Sequence, residues 1–321
     1  MSPGGKKVNG LLDKGFDALE DGRFEEALEA ADGLEGFRHS AGFELGALAL
    51  RALEREEEAL ERLERGVKKA PTAWLLWNLL GNMRSDLEDF EGAFTAWDSG
   101  LACEGCDAGS LRLNKAIALG RLERGEEGLA ELELIQDAEP TFFARVQAFR
   151  AHLLGLLGRQ DERVEAARAG LDLLGDEVDP AEAQLFAELA LGLHASGGDH
   201  DEALGAAWEA VSVDRSSPQA AEALRVVEGV LEDDLVLIHL MVKGTWFEPL
   251  DKGQPTPVFF TSYTVVARDL GDALELARRF EPEPVRASME VDDSSVLDEP
   301  QRRLRGVHHA SAHAFYAPSR S

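Results

Sequence analysis

Cysteine is nearly absent, with two residues in 321, so no disulfide framework holds the chain and a small staple-dependent secreted fold is excluded. Positive charge is also in deficit. Lys+Arg number 33 against 61 Asp+Glu, a formal net charge of −28. A polyanion of this kind is unsuited to nucleic acid, whose phosphates require neutralising cations, or to an anionic membrane surface. No apolar run approaches the ~18 residues of a spanning helix, and the opening MSPGGKKVNGLLDKG has no signal-peptide core, so the expectation is a cytoplasmic chain without membrane contact. Sequences of the G-x-S-x-G, H-E-x-x-H, G-x-x-x-x-G-K-[ST] and G-x-G-x-x-G types are missing, which removes the common hydrolase, zinc-protease and nucleotide motifs and leaves no cofactor implied.

What the chain does have is a repeat. Six similar eight-residue blocks are DGRFEEAL from Asp21, LEREEEAL from Leu53, LEDFEGAF from Leu87, LERGEEGL from Leu122, LGRQDERV from Leu157 and GGDHDEAL from Gly197. Each is a polar turn entering a helix, with acids where the positive end of the helix dipole favours them. A stretch of helical period precedes each block and a second amphipathic run follows it, so the unit is helix, turn, helix. The period of about 34 residues, with Trp77-x2-Leu80-Gly81 and Ala93-x3-Trp97 in the third unit, Gly46-Ala47 and Ala59 in the second and Ala116, Gly128 and Pro140 in the fourth, resembles the tetratricopeptide repeat family over about residues 8 to 218. Arg84 departs from the pattern at an aromatic position, and Arg163 at an alanine position of the fifth unit. One hairpin of this type cannot bury its apolar face alone, so the hairpins must stack.

The fold expected is mainly α: an α-solenoid of about six helical hairpins with a capping helix within residues 1–232, then a small α+β domain over residues 233–321. In the second part LVLIHLMVKGTWFE and PVFFTSYTVVA read as strands around a turn, EPLDKGQPTP. DLGDALELARRF reads as a helix capped by Asp269, EPVRASMEV as a third strand, DDSSVLDEPQRRLR as a polar excursion and GVHHASAHAFYA as a fourth strand, giving β-β-α-β-β. That part has 10 basic and 14 acidic residues, so the helical part carries −24 of the charge.

The resemblance implies a concave groove lined by the first helix of each unit, where asparagines bond the backbone of a bound peptide. It places Asn78, Asn82, Asn114 and Arg145 there, partly matching a clamp for C-terminal carboxylates, although Asn78 and Phe149 stand where that clamp has lysine and arginine. Phe16, Leu19, Leu48, Leu113 and Ile117 are the apolar groove candidates, facing a partner segment. Cys103 and Cys106 form a C-x2-C pair with no second pair to complete a zinc site, so no metal is expected there. In an extended strand His309 and His313 stand roughly 13 Å apart, too far to share an ion.

The function expected is a non-enzymatic scaffold, adaptor or chaperone that grips a protein segment, with the acidic field favouring a basic partner. Self-association is open. One alternative is an inhibitor or immunity-type protein acting through the C-terminal domain. A second is an enzyme with its site near Tyr263, Tyr316 and the histidines, which requires a concave pocket there.

Overall fold

The computed structural model describes residues 3–136, 139–175, 179–250 and 255–316. They form two compact units, Met1–Ala138 and Glu139–Ser321.

The first unit consists of four helical hairpins: α1 (Pro3–Glu20) with α2 (Phe24–Gly36), α3 (Ala41–Ala52) with α4 (Glu56–Lys69), α5 (Trp74–Asp86) with α6 (Phe90–Leu101), and α7 (Ala108–Arg121) with α8 (Gly125–Glu133). The second unit continues with α9 (Pro140–Leu156) and α10 (Gln160–Leu174), α11 (Ala181–Ser196) and α12 (His200–Val213), and the single helix α13 (Pro218–Glu228). Six hairpins and a closing helix therefore follow the six repeated blocks.

The second residue of the first five blocks and the first residue of the sixth adopt the left-handed conformation. These are Gly22, Glu54, Glu88, Glu123, Gly158 and Gly197, with φ between 58° and 73°. The next residue then turns its N–H back to the carbonyl five residues earlier, as in Arg55 to Leu50 (2.9 Å), Asp89 to Arg84 (2.8 Å) and Arg124 to Leu119 (2.9 Å). This bond satisfies an orphan carbonyl at the end of the first helix. Three of the blocks place glutamate where glycine is easier, at a cost of about 1 kcal/mol each. The block ends by anchoring the second helix: Arg55, Arg124 and Arg159 pair with Glu58, Glu127 and Glu162, three residues on.

Within hairpins the contact is made by small side chains. Ala18, Ala27, Ala59, Ala93, Ala116, Ala203 and Ala207 have no exposed surface, so the backbones approach closely. The two departures from the repeat pattern have local explanations. Arg84 bonds the Gly92 carbonyl (3.3 Å) and Glu64 (3.0 Å). Arg163 runs between Gly155 and Gly192, where no Cβ obstructs it, and meets Glu188 of α11 at 2.6 Å. Glu188 is buried and also receives His152 Nδ1 at 3.1 Å.

After α13 comes an antiparallel sheet with the order β3-β1-β2-β5, β4 pairing with β1 and β6 with β2. The strands are β1 (Leu231–Thr245), β2 (Val258–Ala267), β3 (Glu290–Val296), β4 (Gln301–Leu304), β5 (Gly306–Ala310) and β6 (Ala314–Tyr316). Leu240, Val242, Phe259, Tyr263 and Val265 fill one face, against which α14 (Leu270–Arg279) packs Ala273, Leu276 and Ala277. Asp269 caps α14 as expected, accepting from the Asp272 N–H at 2.9 Å.

The second half of the sheet differs in placement from the sequence reading. The start of EPVRASMEV is a short helix, α15 (Glu283–Arg286), because Pro284 suits a first helical turn and lacks the N–H a strand would use. β3 begins on the last two residues of that segment, Glu290 and Val291, and runs on, with β4 after it, into the segment read as a polar excursion. β3 is an edge strand, mostly exposed, so it carries no apolar alternation to reveal it. GVHHASAHAFYA is broken into β5 and β6, and Ser311 at the break donates its N–H to the Ser262 carbonyl (2.8 Å). Residues 251–254 of the expected turn EPLDKGQPTP lie outside the described residues.

Two outcomes follow. Glu188→Ala leaves Arg163 buried without its counter-charge and should cost about 3 kcal/mol in urea denaturation, whereas Arg163→Met with Glu188→Leu should cost much less. His308, half-buried on β5 with Arg225 beside it, is pushed from its ordinary 6.5 down to about 4 by loss of solvent and then by the arginine's charge. The folded form therefore resists a proton that the unfolded chain takes below 6.5, and stability present above that pH should be lost as pH falls toward 4. His308→Gln should flatten this part of a melting-temperature profile; an unchanged slope would contradict the assignment.

Candidate functional site

In the first unit, Asn78 and Asn82 stand one turn apart on α5, facing Asn114 on α7. Asn114 Nδ2 donates to Asn78 Oδ1 and to Asn82 Oδ1, both at 2.9 Å. A third donor fixes Asn82: the indole N–H of Trp97 reaches its Oδ1 at 3.2 Å. Trp97 itself is 1% exposed and lies against Gly81, where any side chain would collide with the ring. The repeat's glycine therefore admits the tryptophan, and the tryptophan orients the asparagine.

Each of these three bonds is made, yet the amides are not exhausted. Among the described residues, Asn78 Nδ2, Asn82 Nδ2 and Asn114 Oδ1 have no protein partner, and all three side chains are half-buried. That leaves two donors and one acceptor, the complement a peptide backbone offers in return. Asn82, Asn114 and Ile117 line a pocket of about 220 Å³ bounded by Arg51 and Arg121. Ile117 is 38% exposed and Leu113 half-buried on the same helix. Of the other apolar candidates, Phe16 and Leu19 pack onto the core of the first hairpins and Leu48 is half-buried. Arg145 belongs to the other unit, where it is exposed and 3.6 Å from Asp179. The structure thus brings the three asparagines together with Ile117, while Arg145 is engaged elsewhere.

The second unit holds a centre that the sequence reading did not assemble. Glu281, at the end of α14, is completely buried in its side chain. Arg215, from the turn after α12, forms an ion pair with its Oε1 at 2.7 Å; the Tyr263 hydroxyl also donates to that oxygen, and His313 Nε2 meets Oε2 at 2.8 Å. Arg215 further donates to the Tyr263 hydroxyl (2.5 Å) and the Ser311 carbonyl (2.8 Å). Burial, then the neighbouring carboxylate, hold the Tyr263 phenol well above its ordinary value, so it stays protonated. His313 is enclosed by the rings of Trp246, Phe259 and Phe315, with centroids 5.1 to 5.6 Å away. Tyr316 is exposed and separate from this cluster. The four polar residues come from segments up to 98 positions apart, and none forms a local motif, which is why spacing could not reveal them. Arg215, Glu281 and His313 line a pocket of about 680 Å³ together with Trp208, Trp246 and Phe280.

No family model matches the chain. It is 35% identical over 122 residues to protein FlbA of Caulobacter vibrioides, a match covering 37% of this chain and 20% of that protein. The chain thus spans about a fifth of the length of the curated relative it matches. In structure it is similar to the APC/C hetero-tetramer Cut9-Hcn1 (TM-score 0.53, 11% identity, 66% of this chain and 40% of that one). It is also similar to the C-terminal part of a TPR repeat-containing protein from Cytophaga hutchinsonii (TM-score 0.50, 12% identity, 66% and 83%). The helical hairpins accordingly have the tetratricopeptide repeat fold.

Removing the buried carboxylate should separate this centre from an ordinary hydrogen bond. Glu281→Gln leaves Arg215 uncompensated and should destabilise the full chain by about 3 kcal/mol. Tyr263→Phe removes a hydroxyl that donates to the carboxylate and accepts from Arg215 but leaves the ion pair, and should cost less, about 2 kcal/mol. Equal losses in urea denaturation would contradict the charge pairing.

Proposed function

We propose that this protein is a non-enzymatic binding protein whose helical repeats grip an extended segment of another protein. The observation that carries this reading is the trio Asn78, Asn82 and Asn114, fixed by mutual bonds and by Trp97 yet retaining two donors and an acceptor. Prefixed amides lose little entropy on binding, so they suit a ligand whose own backbone must be ordered. Ile117 and Leu113 add apolar contact beside them, and Leu48 and Phe16 extend the set on the neighbouring hairpins. Arg145 contributes only if its exposed guanidinium leaves Asp179.

The preferred segment is basic. With −24 of the formal charge on residues 1–232, the repeats attract cations over about 10 Å at ordinary ionic strength. The role is that of a scaffold or adaptor in the cytoplasm, with residues 233–321 as a separate functional division.

An array of lysine-rich extended dodecapeptides, followed by calorimetry on the best binder, tests this. Asn82→Ala and Asn114→Ala should each weaken binding about fivefold, the value of one or two neutral hydrogen bonds. N-methylation of the peptide backbone should weaken it further, and so should added salt. Failure of every peptide to bind, or affinity indifferent to both asparagines, would overturn the proposal.

A further inference from the structure

The first helices of the first four repeats, α1, α3, α5 and α7, each touch the next, so equivalent positions on them form rows across one surface. Nine positions before the repeated blocks stand Leu12, Glu44, Asn78 and Leu113, and five before them stand Phe16, Leu48, Asn82 and Ile117. One helical turn separates the two rows, so they run side by side and include both asparagines of α5. Glu44 is the only charged side chain in either row. It comes between Leu12 and Asn78 in its own row, with Leu48 one turn further along α3.

Glu44 is half-buried and has no counter-charge. Among the described residues it makes no hydrogen bond or ion pair, and burial alone pushes its carboxyl up from the ordinary 4.5. Elsewhere the opposite holds: Glu58, Glu127 and Asp272 are each drawn below their ordinary values by an arginine that bonds them. The arginines of its own hairpin are engaged with other acids, Arg51 with Asp86 (3.2 Å), Arg55 with Glu58 (2.6 Å) and Arg62 with Asp32 (2.8 Å). A carboxylate withdrawn from water without a partner is unfavourable in the free protein. A cation brought to it by a ligand offsets that penalty, and the pairing is screened less by salt than one between fully exposed groups.

We infer that Glu44 selects the bound segment by pairing with one lysine or arginine side chain, held over α3 while the asparagine trio on α5 and α7 holds the segment's backbone. This rests on the reading that the repeats grip an extended segment. Net charge draws basic partners from a distance without choosing among them, whereas a single acid in an otherwise uncharged pair of rows fixes which residue of the segment must be the cation. Leu48 and Phe16 lie in the adjoining row, where the aliphatic stem of such a side chain can pack. Neighbouring helices pack about 8–10 Å apart, and an extended chain advances ~3.3 Å per residue. The required cation therefore stands about three residues from the peptide unit held by the trio.

The test takes the best-binding lysine-rich dodecapeptide, replaces each lysine in turn by norleucine, and titrates every peptide by calorimetry into the full chain and its Glu44→Gln and Asn82→Ala variants. In the parent, one replacement should weaken binding about tenfold or more, the value of a hydrogen bond to a charged group. The same replacement should have little effect in Glu44→Gln, while replacements elsewhere act equally in both proteins. Asn82→Ala should weaken all the peptides alike and leave this coupling in place. N-methylation of single peptide bonds locates the unit held by the trio, and the coupled lysine should lie about three residues from it. Because Glu44 has no partner in the free protein, Glu44→Gln should melt no lower than the parent. Binding that depends on Asn82 but shows no lysine coupled to Glu44 would overturn the inference and leave the grip on a segment standing. Failure of every peptide to bind would overturn both, and a lowered melting temperature without coupling would make Glu44 a structural residue.

Discussion

Close approach of helix backbones governs the repeats. A hairpin of two amphipathic helices leaves apolar surface on both sides, and stacking buries it only if the helices can come near each other. Alanine and glycine at the contacts provide the space, and the larger residues occupy what remains. Trp97 is the clearest case. It fits because Gly81 has no side chain, it fills the volume against Leu111 and Ala118, and its one polar atom reaches Asn82. The packing rule that builds the hairpin therefore also positions the amides beside it.

The turn between helices is the second constraint, and it is local. The left-handed residue lets the one after it return a backbone bond to the first helix, and the second helix starts directly beyond. Strain at Glu54, Glu88 and Glu123 is offset because the turn then closes in one fixed geometry, repeated down the chain. Such local determination is what made the repeats legible. Eight-residue blocks recur because each must solve the same problem, and the tetratricopeptide fold follows from their period.

Legibility falls where the stabilising partner is distant in sequence. Arg163 looked like a defect in the fifth repeat until Glu188 and two glycines supplied its counter-charge and its space. β3 could not be read because an exposed edge strand is held by its neighbour's backbone rather than by alternating apolar side chains. The same holds for the sites. The asparagines were reached through the likeness of one repeat to a known pattern, but their mutual bonding was not, since it depends on side-chain direction. Of the cluster of Arg215, Tyr263, Glu281 and His313, only Tyr263 and the histidines stood out, by residue type; Arg215 and Glu281 carried no signal. A buried carboxylate needs a cation and donors from wherever the fold can bring them, and here they come from a helix turn, two strands' length of sheet and a break between strands.

Side-chain amide spectra provide the most direct view of the central claim, that Asn78, Asn82 and Asn114 form the bonding face for a peptide backbone. With the best-binding peptide titrated into nitrogen-15-labelled full chain, the side-chain NH2 resonances of Asn78 and Asn82 should shift most and saturate with the calorimetric affinity, since their donors are the ones left open. Tight binding that leaves those resonances in place, with shifts concentrated on residues of the Glu139–Ser321 unit, would contradict the account and move the recognition surface away from the repeats of the first unit.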